Sequence, residues 1–147
     1  METLKEILKA HIDYRKQLFK LAKSDIIKTY KGAALGWAWA LIRPAIQIFV
    51  FWFAFTIGLR HGKPVEGYPF FLWLIAGMIP WFYMRDMITG GAASLRRYTY
   101  LVTKIKYPIC TIPTFVSMSL FLVHMGLLTI VILIYMGFGY MPDIYYL

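Results

Sequence analysis

The sequence holds one cysteine, seven acidic residues and three histidines, and each shortage removes a class of protein. Cys110 is alone and forms no internal disulfide, and no Cys/His spacing outlines a zinc site. Asp25, Asp86 and Asp143 stand far apart along the chain and at different expected depths. They give no acidic cluster of the kind that holds the metal of a membrane-bound sugar or phosphate transferase. His11, His61 and His124 fall in three separate regions and read as surface or packing histidines. The glycine-rich loop that cradles nucleotide phosphates is missing too, because Lys23-Ser24 lacks the glycines that should precede it. ATP chemistry, if the protein uses it, belongs to another chain, and no cofactor or metal is expected in this one. The opening residues lack the short apolar run and small-residue cleavage site of a signal peptide.

Apolar residues, by contrast, are abundant. They make up 60% of the 147 residues, aromatics make up 18%, and the mean hydropathy is +0.60. A soluble domain is nearer half apolar, so the composition is that of an integral membrane protein. The net charge of +9 does not point to nucleic acid, because the Lys and Arg side chains flank apolar runs as topology signals do.

Residues 1–35 form the first region. Over 2–31, Leu4, Ile7, Leu8, Ile12, Leu18, Phe19, Ala22, Ile26 and Tyr30 recur at three- and four-residue steps, with lysines mostly on the other side. This pattern suits a helix lying among lipid headgroups, or one packed on a partner. The run DYRKQ at 13–17 interrupts the stripe, which allows two shorter helices. Residues 36–147 form the transmembrane region, with spans expected at 36–59, 69–94 and 109–137. The first has 24 residues and reaches about 36 Å, enough to cross with tilt. Pro44 and Pro80 are expected to bend the first two spans. Residues 60–67 form a short polar turn, and 95–108 a basic, tyrosine-rich loop.

Orientation follows from the cations. Lys5, Lys9, Arg15, Lys16, Lys20, Lys23, Lys28 and Lys31 precede the first span, and Arg96, Arg97, Lys104 and Lys106 lie between the second and third. The 60–67 turn has only Arg60 and Lys63. The N-terminus and the 95–108 loop are therefore expected in the cytoplasm. The tail GYMPDIYYL turns apolar again and reads as the start of a fourth span.

Three groups of residues then coincide in order. They are Asp25-Ile26, Tyr30-Lys31-Gly32, Leu35-Gly36, Trp39 and Pro44; Tyr68-Pro69, Phe71-Leu72, Gly77, Pro80-Trp81 and Phe82; and Leu101-Val102, Lys104, Tyr107-Pro108 and Ile112-Pro113. Together they resemble the ABC-2 type transporter permeases that export O-antigen, capsule and teichoic-acid polymers, from about Asp25 onward. The departures from that pattern include Thr29, where the family has a basic residue, and the charged pair Arg85-Asp86 in the second span. The resemblance implies an all-α integral membrane fold, with an interfacial N-terminal helix and three transmembrane helices, equivalent to the N-terminal half of a six-span permease. It also implies a non-enzymatic subunit of an exporter of lipid-linked polysaccharide in the bacterial cytoplasmic membrane. The expected partners are an ABC ATPase subunit, a second permease copy forming a homodimer, the lipid-linked polysaccharide and membrane lipid. Two rivals are a small membrane adaptor that recruits a cytoplasmic partner and a polyprenyl-phosphate sugar transferase component.

Candidate site residues follow. In the 95–108 loop, Tyr98, Tyr100, Leu101 and Val102 offer apolar anchors, and Arg96, Arg97, Lys104 and Lys106 a charged rim, for contact with an ATPase. The alternative is that these cations only set topology and touch anionic lipid. Arg43 and Asp86 are each expected about 10–12 Å deep in the membrane. A lone charge there costs about 2.5–3.5 kcal/mol, so a pair between the two spans is expected, with snorkelling or contact with water as the alternative. Arg85, next in sequence to Asp86, is expected on another helix face. Trp37, Trp39, Trp52 and Phe55 either face lipid and neighbouring helices or line a path for sugar rings. Gly90-Gly91-Ala92-Ala93-Ser94 permits either a close helix approach or a helix end.

Overall fold

A computed structural model describes residues 2–31, 35–59, 62–65, 67–105 and 107–140. His61, Lys106 and Asp143, with the tail from residue 141, lie outside the described residues. The described residues form six α-helices: α1 (Glu2–Asp13), α2 (Arg15–Lys31), α3 (Ala38–Phe53), α4 (Phe70–Arg97), α5 (Thr99–Ile105) and α6 (Ile112–Gly137). A π-turn at Ala54–Gly58 extends α3, and a 3₁₀ turn at Ile109–Thr111 leads into α6.

The chain divides into two compact units, Met1–Ala34 with Tyr83–Leu122, and Leu35–Phe82 with Val123–Leu147. The long helices α4 and α6 contribute to both. In the first unit, α1 and α2 meet at Tyr14, inside the interruption at 13–17. Leu18 and Ala22 of α2 pack with Tyr98, Leu101, Tyr107, Ile112, Phe115 and Val116. The Tyr98 ring stands edge-on to Phe115 at 4.9 Å between centroids, and Tyr14 edge-on to Tyr107 at 5.4 Å. His11 is a packing histidine: its Nε2 pairs with the Thr114 hydroxyl at 2.8 Å, joining α1 to α6.

In the second unit, Ile48 of α3 packs with Leu74, Ile75, Ile79 and Phe82 of α4. The Tyr135 hydroxyl of α6 donates to the Leu72 carbonyl at 2.8 Å. Helix α6 ends where Gly139 takes φ +83°, a left-handed conformation that glycine adopts without a Cβ penalty. Gly139 N–H then reaches the Met136 carbonyl at 3.0 Å and Tyr140 N–H the Tyr135 carbonyl at 3.0 Å, the paired bonds of a Schellman cap.

Among the described residues, two continuous helical stretches are long and apolar enough to cross a membrane, Ala38–Gly58 with 21 residues and Ile109–Gly137 with 29. Only 6% and 11% of their most apolar windows are buried within the chain. An apolar helix in the core of a soluble protein would be mostly covered by its own chain, whereas these expose Ile46, Phe49, Val50, Ile132 and Leu133. The protein is all-helical over its described residues and belongs in a membrane. Helix α4 has 28 residues, long enough to cross, but it carries Arg85, Asp86, Arg96 and Arg97.

One expectation needs correcting. Most of 95–108 is not a loop: α4 runs on to Arg97, the chain turns at Tyr98, and α5 follows at once. Thr99, Tyr100, Leu101, Val102 and Thr103 include three β-branched residues, whose intrinsic helix propensity is weak. The burial of Tyr98 and Leu101 outweighs that weak propensity.

The small-residue run also resolves, because Gly90–Ser94 lies inside α4 and not at its end. A Cβ on Gly90 would sit 3.3 Å from the Leu120 side chain and 3.7 Å from Val116, whereas one on Gly91 would meet nothing within 4 Å. Gly90 is therefore a close-approach position against α6. Gly91→Ala is expected to stabilise the chain by up to about 1 kcal/mol through helix propensity. Gly90→Leu should cost about 1–3 kcal/mol through overpacking. Comparing denaturation midpoints in mixed micelles checks this, and equal midpoints for the two variants would contradict it.

Candidate functional site around Asp25 and helix α5

The best-built polar constellation lies in the first unit and centres on a residue that the sequence reading assigned to no site. Asp25 is 6% exposed, although it sits in a lysine-rich helix. Leu18, Ala22 and Asp25 are spaced by four and three residues, so the carboxylate lies on the buried stripe of α2. One Asp25 carboxylate oxygen accepts a hydrogen bond from the Tyr98 hydroxyl, and the other accepts from the Ser119 hydroxyl at 2.5 Å. The guanidinium of Arg97 stands 3.9 Å away with its side chain half-exposed. The hydroxyl of Thr29 donates to the Asp25 backbone carbonyl at 2.8 Å. A buried carboxylate needs such partners, since desolvation costs several kcal/mol per ion. Burial, then the hydrogen bond to Asp25 and its charge, push the Tyr98 phenol well above the usual range, so it stays protonated and able to donate.

Beside this hub opens a cleft of about 460 Å³, lined by Asp25, Lys28, Thr29, Arg97, Tyr98 and Tyr100. The Lys28 ammonium lies 5.8 Å from the Tyr100 ring centroid and donates to its hydroxyl at 3.4 Å. Two cations, one committed carboxylate and three hydroxyls suit binding and positioning. They lack the paired base and nucleophile of a catalytic centre. Among the described residues, no three His, Cys, Asp or Glu side chains come together to hold a metal ion.

The expected ATPase-coupling residues separate into two sets. Tyr98 and Leu101 are 5% and 4% exposed and serve the core of their own unit. As open docking anchors they are corrected: the turn at Tyr98 and the helix α5 that follows lay them against Leu18 and Ala22. Tyr100, Arg96, Arg97 and Lys104 remain exposed, Val102 is half-buried, and Lys106 lies outside the described residues. Exposed apolar side chains on this segment are Leu95, Tyr100 and Ile105.

The charged pair also changes. The Arg85 Nε donates to Asp86 Oδ1 at 2.9 Å, so the two are ion-paired neighbours and do not diverge to different faces. The flexible arginine side chain reaches back across the helix surface, which a reading by Cβ direction alone does not foresee. Arg43, in the other unit, places its guanidinium 5.8 Å from the Trp39 ring centroid, a cation–π contact. Of the aromatic residues, Trp52 and Phe55 stand edge-on to Phe71 and Phe70 within their unit, and Trp37 is exposed.

No family model matches the chain. Over 129 residues, 88% of its length, the chain is 27% identical to a Myxococcus xanthus protein named O-antigen export system permease protein RfbA. The chain is similar to the O-antigen export permeases over most of its length. Two Klebsiella pneumoniae proteins of the same name are each 24% identical over 96 residues, 65% of this chain. The chain spans about half the length of the curated relatives it matches: 48% of the Myxococcus protein and 36% of each Klebsiella protein. The resemblance drawn from the three residue groups thus holds over most of the sequence. The hub residues Asp25 and Tyr98 and the exposed residues of α5 belong to one compact unit.

Proposed function

We propose that this chain is a permease subunit of an ATP-binding-cassette exporter that moves lipid-linked polysaccharide across the bacterial cytoplasmic membrane. The observation that carries the reading is the similarity to O-antigen export permeases over 88% of the chain. The two apolar, largely unburied helices support it. In this reading α4 also crosses, as the second of three spans, α1 lies at the cytoplasmic headgroup layer, and both termini of the 95–108 segment face the cytoplasm. ATP hydrolysis takes place in a separate ATPase, which contacts the exposed side of α5. A second permease copy completes the pathway, and Trp37 and Trp39 are candidates to line it for sugar rings.

Disrupting the gene is the direct test. It should remove surface polymer and leave its lipid-linked precursor inside the cell. Loss of the precursor itself would point to a transferase, and unchanged surface polymer would end the permease reading.

Arg43 and Asp86 enter as a proposed pair between spans during transport. Arg43→Asp combined with Asp86→Arg should recover what either single change loses. A double variant worse than both singles would leave Arg43 to Trp39 and Asp86 to Arg85.

A further inference from the structure

A carboxylate on the buried stripe of α2 calls for an explanation. A leucine or isoleucine there would join Leu18 and Ala22 without any desolvation cost. Replacing buried ionic groups by apolar ones is often neutral or stabilising. What a buried carboxylate adds is directionality, because its two oxygens accept only from donors in set places. Here the donors come from two elements: Tyr98, at the turn between α4 and α5, and Ser119, on α6. Ser119 is 2% exposed, so all three polar side chains are shielded and the bonds do not compete with water. The apolar contacts of Leu18 and Ala22 would tolerate a slide of α2 along α5, whereas the carboxylate admits one register.

We infer that Asp25 is a positioning residue that locks α2 to the turn bearing α5, so that α5 and the N-terminal helix move as one body. A displacement of α5 is then delivered to α2 and not absorbed between them. The lock is a property of the chain itself. Its use in transport rests on the permease reading above.

The test measures the lock directly. Lys28→Cys and Tyr100→Cys, in a Cys110→Ser background, put thiols on α2 and α5 where the two side chains now touch. A short bifunctional maleimide should join them readily in membranes containing the otherwise unsubstituted chain. Asp25→Ala should lower the cross-linking rate about fivefold, as for loss of a buried hydrogen-bonded group. Asp25→Asn, which keeps one carbonyl acceptor and the same shape, should restore most of it. Tyr98→Phe removes one hydroxyl and leaves the ring on Phe115, so it reports on the lock even if Asp25→Ala fails to insert. It should lower the rate less than Asp25→Ala does. Cross-linking unchanged in both Asp25→Ala and Tyr98→Phe overturns the inference, and so does an Asp25→Asn variant no better than Asp25→Ala.

A parallel export assay separates this inference from the permease reading. If Asp25→Ala loses export while cross-linking is unchanged, the lock is wrong and the permease reading stands. If cross-linking falls but the unsubstituted protein exports nothing, the lock stands and the permease reading fails.

Discussion

Replacing Tyr100 and Ile105 together by alanine is expected to abolish ATP-driven export while the chain still folds and inserts. Both residues of α5 are exposed, 39% and 62%, whereas Leu101, with Tyr98 and Tyr107 on either side of the helix in sequence, packs into the core. The double change keeps Arg96, Arg97 and Lys104, so topology and attraction to anionic lipid are preserved. Apolar and aromatic anchors inside a charged rim carry most of the energy of a contact. Loss of a central one typically costs about 2 kcal/mol or more, roughly thirtyfold in affinity. The expected result is inserted protein, an ATPase that no longer co-purifies, and polymer trapped inside. Tyr100 also holds Lys28, so Lys28→Ala serves as a control and should leave export near normal. Normal export and normal co-purification in the double variant would show that α5 is not the point of contact. Leu101→Ala is unsuitable for this purpose. Leu101 is 4% exposed, and its truncation would destabilise the unit by about 2–5 kcal/mol.

Phe115→Ala should produce the largest loss of stability of any single truncation in the first unit, about 3–5 kcal/mol. Its side chain is fully buried between Ile112 and Val116, and its ring meets Tyr98 edge-on. Removing the ring leaves a cavity that the surrounding helices can close only in part, because they are tied by His11 to Thr114 and by Asp25 to Ser119. It also removes the surface against which Tyr98 is oriented toward Asp25. Phe121→Ala offers the contrast. That ring is 44% exposed and should cost about 1 kcal/mol or less. Denaturation in mixed micelles measures both, and a Phe115→Ala midpoint equal to that of Phe121→Ala would refute this account of the core.

The sequence made some of this legible and hid the rest for physical reasons. Apolar runs are long-range averages, so the helices at 38–58, 70–97 and 109–137 fall within a few residues of the expected spans. The break at Tyr14 was visible as a lapse in the three-and-four spacing. The helical state of α5 was not. Seven residues rich in β-branched and aromatic side chains carry little helical preference, and tertiary burial decides their conformation. For the same reason Tyr98 and Leu101 read as surface anchors: next to four cations, nothing local marks which side of a short helix faces inward. The contact of Asp86 with Arg85 was not visible because spacing rules describe Cβ directions, and an arginine is long enough to fold back on its neighbour. Asp25 was hidden among lysines, where an acid reads as charge balance. The available signal was positional: with Leu18 and Ala22 it completes a buried stripe. Its partners, Tyr98 and Ser119, lie 73 and 94 residues away, beyond the reach of any local pattern.

The ATPase contact depends on which side of the membrane α5 faces, and two thiol positions decide that. Cys110, exposed in the turn after α5, is the native probe, and Lys63→Cys in a Cys110→Ser background is the probe for the turn between α3 and α4. An impermeant maleimide added to intact spheroplasts should label residue 63 and leave Cys110 unlabelled until the membrane is opened. Labelling of Cys110 from outside would put α5 beyond the reach of a cytoplasmic ATPase and contradict the account at its centre.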